Sequence, residues 1–246
     1  MPEIIPAIMP KDFKDLEEKA SLFAGLVDAV QIDIMDGIFV PEKTWPYKDD
    51  TAEFYEIVGK ERSYPKGRQL LYEADLMISR PETCLKGWIE THLSRIIVHL
   101  ESVGDLKYFW KNLGHNKYPQ IENDGIQGFE FGLAINIGTP NEALYAQIDD
   151  DYVRKNKCVD FVQFMGIAKI GYQGEPFDER VLPKIEAFRE RYSDIMISVD
   201  GGVNLDSAPR LIAAGANRLV AGSAILKSGD IKGTIEKFRK LEEQVN

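Results

Sequence analysis

The chain has 246 residues, 44% of them hydrophobic, and a formal net charge of −10. That length suits one large α/β domain or two small ones, and the acidic balance argues against nucleic acid or an anionic membrane as partner, since both call for a basic face. A small phosphorylated ligand is not excluded, because it needs only a local pocket.

Two cysteines occur, Cys84 and Cys158, without CxxC or histidine-rich spacing, so neither a disulfide framework nor a cysteine zinc site is indicated. The opening stretch MPEIIPAIMPKDF lacks a basic region followed by a long apolar segment, and no later apolar run approaches membrane length. No Pro/Ser-rich linker or low-complexity run divides the chain. The expectation is a cytoplasmic protein with a single domain over residues 1–246.

In chain order, short apolar runs predict strands at Glu3 to Ile8, Ala29 to Ile34, Gln69 to Leu76, Arg95 to Leu100, Phe129 to Ile135, Phe161 to Met165, Ile195 to Val199 and Arg218 to Ala221. Helix signals lie between them. Asp12 can cap a helix carrying Phe13, Leu16, Ala20 and Phe23, and Ser79 with Pro81 suits the start of one carrying Cys84, Leu85, Trp88 and Ile89. Thr139 and Pro140 open another, Asp178 precedes VLPKIEAFRERY, and Asn204 or Asp206 precedes APRLIAAG, which stops at Gly215. A last helix over Ile231 to Val245 puts Ile231, Ile235, Phe238 and Leu241 on one stripe.

Two connections are longer. Glu42 to Arg68 is polar and suits a helix around Thr51 to Val58; NLGHNKYPQIENDGIQG, ending at Gly128, reads as an exposed loop beyond a short helix. Eight strands alternating with helices over this length is the pattern of a (β/α)8 TIM barrel, whose site lies at the carboxyl ends of the strands. Doubly wound sheets share the alternation, so periodicity leaves that choice open.

The stretch Ala29 to Pro41, AVQIDIMDGIFVP, is a strand ending in acids and a glycine turn. Val30, Ile32 and Ile34 point one way and Gln31, Asp33 and Met35 the other. Polar side chains on an inward strand face are costly unless they meet a ligand, a metal or each other, which makes Asp33 a candidate site residue. The alternative is that Asp33 caps a neighbouring helix and Asp36 only starts the turn at Gly37.

Near the other end, SVDGGVN and LVAGSAI each place glycine directly after a strand, at Gly201, Gly202 and Gly222, the last followed by Ser223. Exposed N–H groups of such turns bind phosphate oxygens, and loops after the last two strands of a barrel commonly form that cup. The loop Lys169-Ile170-Gly171-Tyr172-Gln173-Gly174 after the sixth strand, with Gly171 and Gly174, is the third expected contributor.

These segments carry a family resemblance. PAIMPKDF, IDIMDGIFVP, ADLMI, VHLES, LAINIGTP, FMGIAKIGYQGEPF, VDGGVN and VAGSAI, in that order and spacing, resemble the ribulose-phosphate 3-epimerase family over nearly the whole chain. The resemblance implies a barrel of the ribulose-phosphate-binding type that interconverts D-ribulose 5-phosphate and D-xylulose 5-phosphate. It assigns acid–base roles to Asp33 and Asp200. It also implies a divalent metal held by two histidines and two aspartates, but the histidine positions are here Gln31 and Asp75. The resulting set, Gln31, Asp33, Asp75 and Asp200, is all oxygen and suits magnesium, manganese or calcium better than zinc; Fe also falls within the expected metals. Without a cation, three converging carboxylates would repel and at least one would hold a proton.

Other departures from the family pattern are Ala7, where a serine lies near the substrate, and Lys169-Ile170, which interrupts the loop after the sixth strand. Lys169 could supply positive charge in place of a metal, against an outward position facing solvent or Glu175. Met35, Met77 and Met165 match methionines that floor the sugar pocket, and His99 matches a family histidine, while His92 and His115 read as surface residues. Related decarboxylases and hexulose-phosphate synthases carry a lysine in an Asp-x-Lys-x-x-Asp motif, where this chain has Met35. Two alternatives remain: an epimerase of another sugar phosphate, or an inactive sugar-phosphate-binding homologue. Family members commonly self-associate, which leaves a homodimer open.

Overall fold

Eight parallel strands close on themselves in sequence order: β1 (Glu3–Ile8), β2 (Ala29–Met35), β3 (Leu71–Met77), β4 (Arg95–His99), β5 (Glu130–Ile135), β6 (Phe161–Met165), β7 (Met196–Asp200) and β8 (Arg218–Ala221), with β8 pairing back to β1. The computed structural model describes residues 2–48, 51–116 and 128–241. The fold is the (β/α)8 barrel. A doubly wound sheet is ruled out because an open sheet has two edges and this one has none.

The surrounding helices are α1 (Phe13–Ser21), α2 (Ala52–Val58), α3 (Leu85–Glu90), α4 (Leu106–Asn116), α5 (Asn141–Ile148), α6 (Asp151–Lys155), α7 (Val181–Arg191), α8 (Ala208–Ala214), α9 (Ser223–Leu226) and α10 (Ile231–Lys240). Asp12 caps α1 as expected, its Oδ1 accepting from the Asp15 N–H at 2.7 Å. Gly215 ends α8 at φ +114, a conformation that costs a glycine nothing.

Ser79 does not cap the next helix. Its N–H donates to Asp36 Oδ2 at 2.8 Å, and a 3₁₀ turn over Pro81–Thr83 precedes α3. Thr139 likewise leaves α5 uncapped, because its hydroxyl donates to Glu101. Helix α4 runs to Asn116, so the start of NLGHNKYPQIENDGIQG is helical; the rest, 117–127, lies outside the described residues, as do 242–246 of the last predicted helix. Helix α6 escapes periodicity because five residues are too few to show it, although Asp150 carries its cap signal, accepting from Tyr152 and Val153.

The main core lies between barrel and helices. The outward side chains of β2, Val30, Ile32 and Ile34, pack there with Leu16, Ala20 and Phe23; each such side chain, fully buried, contributes about 1.5–3 kcal/mol. Inside the barrel the apolar groups are small, Ile5 with Ala7 and Val220, and Ile97 with Ala134 and Phe161. The amino-terminal end is plugged by charge instead. Arg218, 1% exposed, pairs with the fully buried Glu73, reaches Glu3 Oε2 at 3.1 Å and lies 4.6 Å from the centre of the Phe161 ring. Burying those charges is tolerable only because they neutralise one another, and the rigid plug leaves the carboxyl end as the open one.

Candidate active site

The two-residue period of the strands builds the site. Gln31, Asp33 and Met35 of β2 face the barrel axis, and the register sets Asp33 beside Asp75 of β3 and Met165 of β6 beside Asp200 of β7. Asp33, Asp75 and Asp200 each offer a carboxylate oxygen within 4.8 Å of the other two. Asp75 is fully buried, whereas Asp33 and Asp200 line the cavity above it. The helix-cap alternative for Asp33 does not hold, since its Oδ1 accepts from Gln31 at the barrel centre. Asp36 does shape the turn, its Oδ1 accepting from the Ile38 and Phe39 N–H groups.

One amide ties the two cavity-facing acids together. Gln31 Nε2 donates to Asp33 Oδ1 at 2.9 Å and to Asp200 Oδ2 at 2.7 Å. Asp75 has partners of its own: His99 Nε2 lies 3.0 Å from Oδ1, and Gln163 Nε2 donates to Oδ2 at 3.1 Å. Ser198 Oγ donates in turn to Gln163 Oε1 at 3.1 Å. Every member of this network is buried.

Burial pushes the Asp200 carboxyl up to about 7, with the Asp75 charge adding to it and the Gln31 bond and His99 only partly offsetting it. Asp33 is held well above the usual carboxylate range, first by burial and then by the charges of Asp200 and Asp75. For His99, burial disfavours the charged ring, but the Asp75 carboxylate outweighs it and the net shift is upward. Two buried acids whose pKa values are lifted toward neutrality share a donor at one cavity, so one can hold a proton while the other accepts one.

The same acids could hold a divalent cation. Three converging carboxylates are a hard oxygen donor set; burial first, and then mutual repulsion, raise Asp33 and Asp200, and a cation would relieve the repulsion. Gln31 Oε1 is buried without a hydrogen-bond partner. As oriented, Gln31 presents its amide hydrogens to the aspartates; turning the amide would present Oε1.

A cavity of about 420 Å³ runs from Asp33 and Asp200 to Gly201, Gly202, Gly222 and Ser223, with Gly171 and Gly174 on its wall. Gly201 and Gly202 have φ of +92° and +68°, and a Cβ on Gly202 would stand 2.6 Å from Phe177 Cα, so the turn requires glycine there. Ala7, Met77 and Met165 line the cavity. Met35 does not: it is fully buried and packs with Val40 and Met77. Lys169 is exposed and outside the cavity wall, which corrects the reading of it as the source of positive charge. His92 is exposed with φ +59, and the His115 side chain lies outside the described residues.

Sequence reasoning missed Gln163, Ser198 and Lys227, and named Gln173 only as part of its loop. The first two carried the signal that marked Gln31, a polar residue at an inward strand position. Gln173 and Lys227 lie on loops after β6 and β8, where no periodicity operates, yet both line the cavity.

The model of the Ribulose-phosphate 3 epimerase family matches residues 3–226. The chain is 31% identical over 245 residues to the ribulose-phosphate 3-epimerase of Bacillus subtilis (strain 168), covering 97% of this chain and 99% of that one. It is also 31% identical to the ribulose-phosphate 3-epimerase of Synechocystis sp., over 96% of this chain and 92% of the relative. Among solved structures, 3-keto-L-gulonate-6-phosphate decarboxylase from Vibrio cholerae superposes with a TM-score of 0.67 at 13% identity, over 100% of this chain and 99% of the other, a likeness of fold.

Proposed function

The chain belongs to the ribulose-phosphate 3 epimerase family, and from that premise we propose that it interconverts ribulose 5-phosphate and xylulose 5-phosphate, with Asp33 and Asp200 moving the C3 proton. The observation that carries this reading is that these two buried acids, both raised in pKa, share the Gln31 amide and face one cavity whose far wall is a glycine cup.

Epimerisation beside a ketone removes the C3 proton from one face and returns a proton to the opposite face through an enediolate. A base and an acid on opposite sides of the carbon meet that need. With one proton between them, Asp33 and Asp200 can start in either arrangement, and each turnover exchanges their roles. Without a cation, the Gln31 amide, donating to both, fixes their separation and steadies whichever is ionised. The phosphate sits on the N–H groups of Gly201, Gly202, Gly222 and Ser223, with the loop at Gly171 and Gly174 beside it. Ala7, Met77 and Met165 pack against the carbon chain and exclude water. Asp33, Asp75 and Asp200, with Gln31 turned, would hold the divalent cation; magnesium, manganese or calcium suits these oxygens better than zinc, and when bound it supplies Lewis-acid stabilisation of enediolate charge.

The test is NMR of ribulose 5-phosphate in deuterated water with chelator-treated protein, then with magnesium, manganese, zinc or iron(II) added. Deuterium should enter C3 as xylulose 5-phosphate forms, and Asp33→Asn and Asp200→Asn should each abolish it. A rate surviving both substitutions would overturn the role assignment, and absence of exchange with every metal would overturn the substrate.

A further inference from the structure

We propose that Lys227 supplies the ionic half of phosphate recognition, making this site select a phosphate dianion where the glycine cup alone provides only N–H dipoles. The inference rests on the reading of the Gly201–Gly202–Gly222–Ser223 end as the phosphate site.

The cavity is electrostatically lopsided. Among the described residues its wall carries three acids, Asp33, Asp200 and Glu175, and one cation, Lys227. A phosphorylated sugar brings about two negative charges into that wall, in a chain whose own net charge is −10. Main-chain N–H groups offer fractional charges, so a full positive charge at the phosphate end has an evident use.

The geometry points Lys227 there. Ser223 and Lys227 are four residues apart across the single turn α9, and the Lys227 N–H donates to Ser223 O at 3.0 Å, so the two side chains share one face. From the opposite wall comes Gly174, at φ +87; a Cβ built there would lie 3.7 Å from Lys227 Nζ and 4.0 Å from Ser223 Oγ. Amine and hydroxyl therefore converge on one point at the mouth of the cup, and the missing side chain of Gly174 leaves that point open.

Nothing among the described residues claims the amine. Among the described residues Lys227 Nζ makes no ion pair or hydrogen bond, and Glu175, though on the same wall, is not within ion-pair distance of it. Asp230, the next acid along the chain, is turned away to cap α10, its Oδ1 accepting from the Gly233 N–H at 2.9 Å.

The experiment measures inorganic phosphate as a competitive inhibitor, and ribulose 5-phosphate kinetics, for the native protein, Lys227→Met and Lys227→Arg. Lys227→Met should weaken phosphate inhibition and raise KM about tenfold, the scale of one charge-assisted hydrogen bond at an accessible site. It should leave kcat within about twofold and flatten the salt dependence of KM; Lys227→Arg should restore all three. Native protein inhibited by phosphate, with Lys227→Met inhibited equally well, would overturn the role of Lys227 and leave the cup standing. Native protein that inorganic phosphate does not inhibit competitively would overturn both.

Discussion

Gln31 and Asp200 meet across the barrel axis at 2.7 Å although 169 residues separate them in the chain. The same Gln31 nitrogen donates to Asp33, so one neutral amide acts on the proton affinity of both acids. In each acid that bond works against burial, lowering a pKa that desolvation raises.

Replacing the amide by an apolar side chain of similar length therefore has a defined direction. Gln31→Met leaves both carboxyls buried without their donor, so both pKa values rise further. The acid limb of the kcat/KM pH profile should move to higher pH, and kcat should fall. The profile measured for native and variant protein with ribulose 5-phosphate checks this; an unmoved limb would mean that Gln31 does not govern the titration.

The acids also leave a mark on stability. Burial first, and then the Asp75 charge, raise Asp200 from 3.8 to about 7, so between those values the folded state holds a proton that the unfolded state releases. Stability from this group is thus present below about pH 4 and is lost as pH rises toward about 7. In chelator-treated protein, Asp200→Asn should raise the Tm at pH 8 by at least about 2–4 °C, and change it far less at pH 4. Added magnesium should raise the native Tm at pH 8 and do less for the variant.

His99 and Asp75 form a buried pair at 3.0 Å with no exposed surface on either side chain. Removing one partner strands the other in the barrel. His99→Leu should cost about 3–5 kcal/mol in denaturant unfolding, the scale for breaking a buried pair, and the double variant with Asp75→Leu should recover part of it. A double variant less stable than His99→Leu would show that Asp75 is held by Gln163 rather than by His99.

Arg218 tests the plug apart from the chemistry. Arg218→Met leaves Glu73 buried opposite Arg95 alone, whose nitrogen is 3.4 Å away. Unfolding free energy should fall by about 3–5 kcal/mol. Because the plug closes the end opposite the cavity, kcat/KM of the folded fraction should stay within about twofold of native, as measured below the unfolding transition.

The strands were legible in the sequence because each is a short apolar run, and β1, β6 and β8 fall on the predicted residues. Asp33 and the late glycines were legible too, as an inward strand acid and turn residues, whereas Asp75 and the role of Asp200 came only through the family resemblance. The expected caps at Ser79 and Thr139 were not, because the Ser79 N–H is held by Asp36 and a 3₁₀ turn follows before α3, and the Thr139 hydroxyl is spent on Glu101, although α5 does begin directly after Pro140.

What the sequence by itself determined is the alternation of strand and helix, the inward face of β2 with Asp33 and the late glycine turns, since these follow from local periodicity and residue chemistry; the other acids, Asp75 and Asp200, came from the family resemblance. Only the tertiary structure decided that the sheet closes, that Gln31 joins Asp33 to Asp200, that His99 and Gln163 secure Asp75, that Met35 stays outside the cavity wall, and that Lys227 rather than Lys169 lines it. The physical reason is range. Periodicity acts over a few residues, whereas hydrogen bonding and desolvation at the barrel centre depend on side chains that meet only once all eight strands are in register.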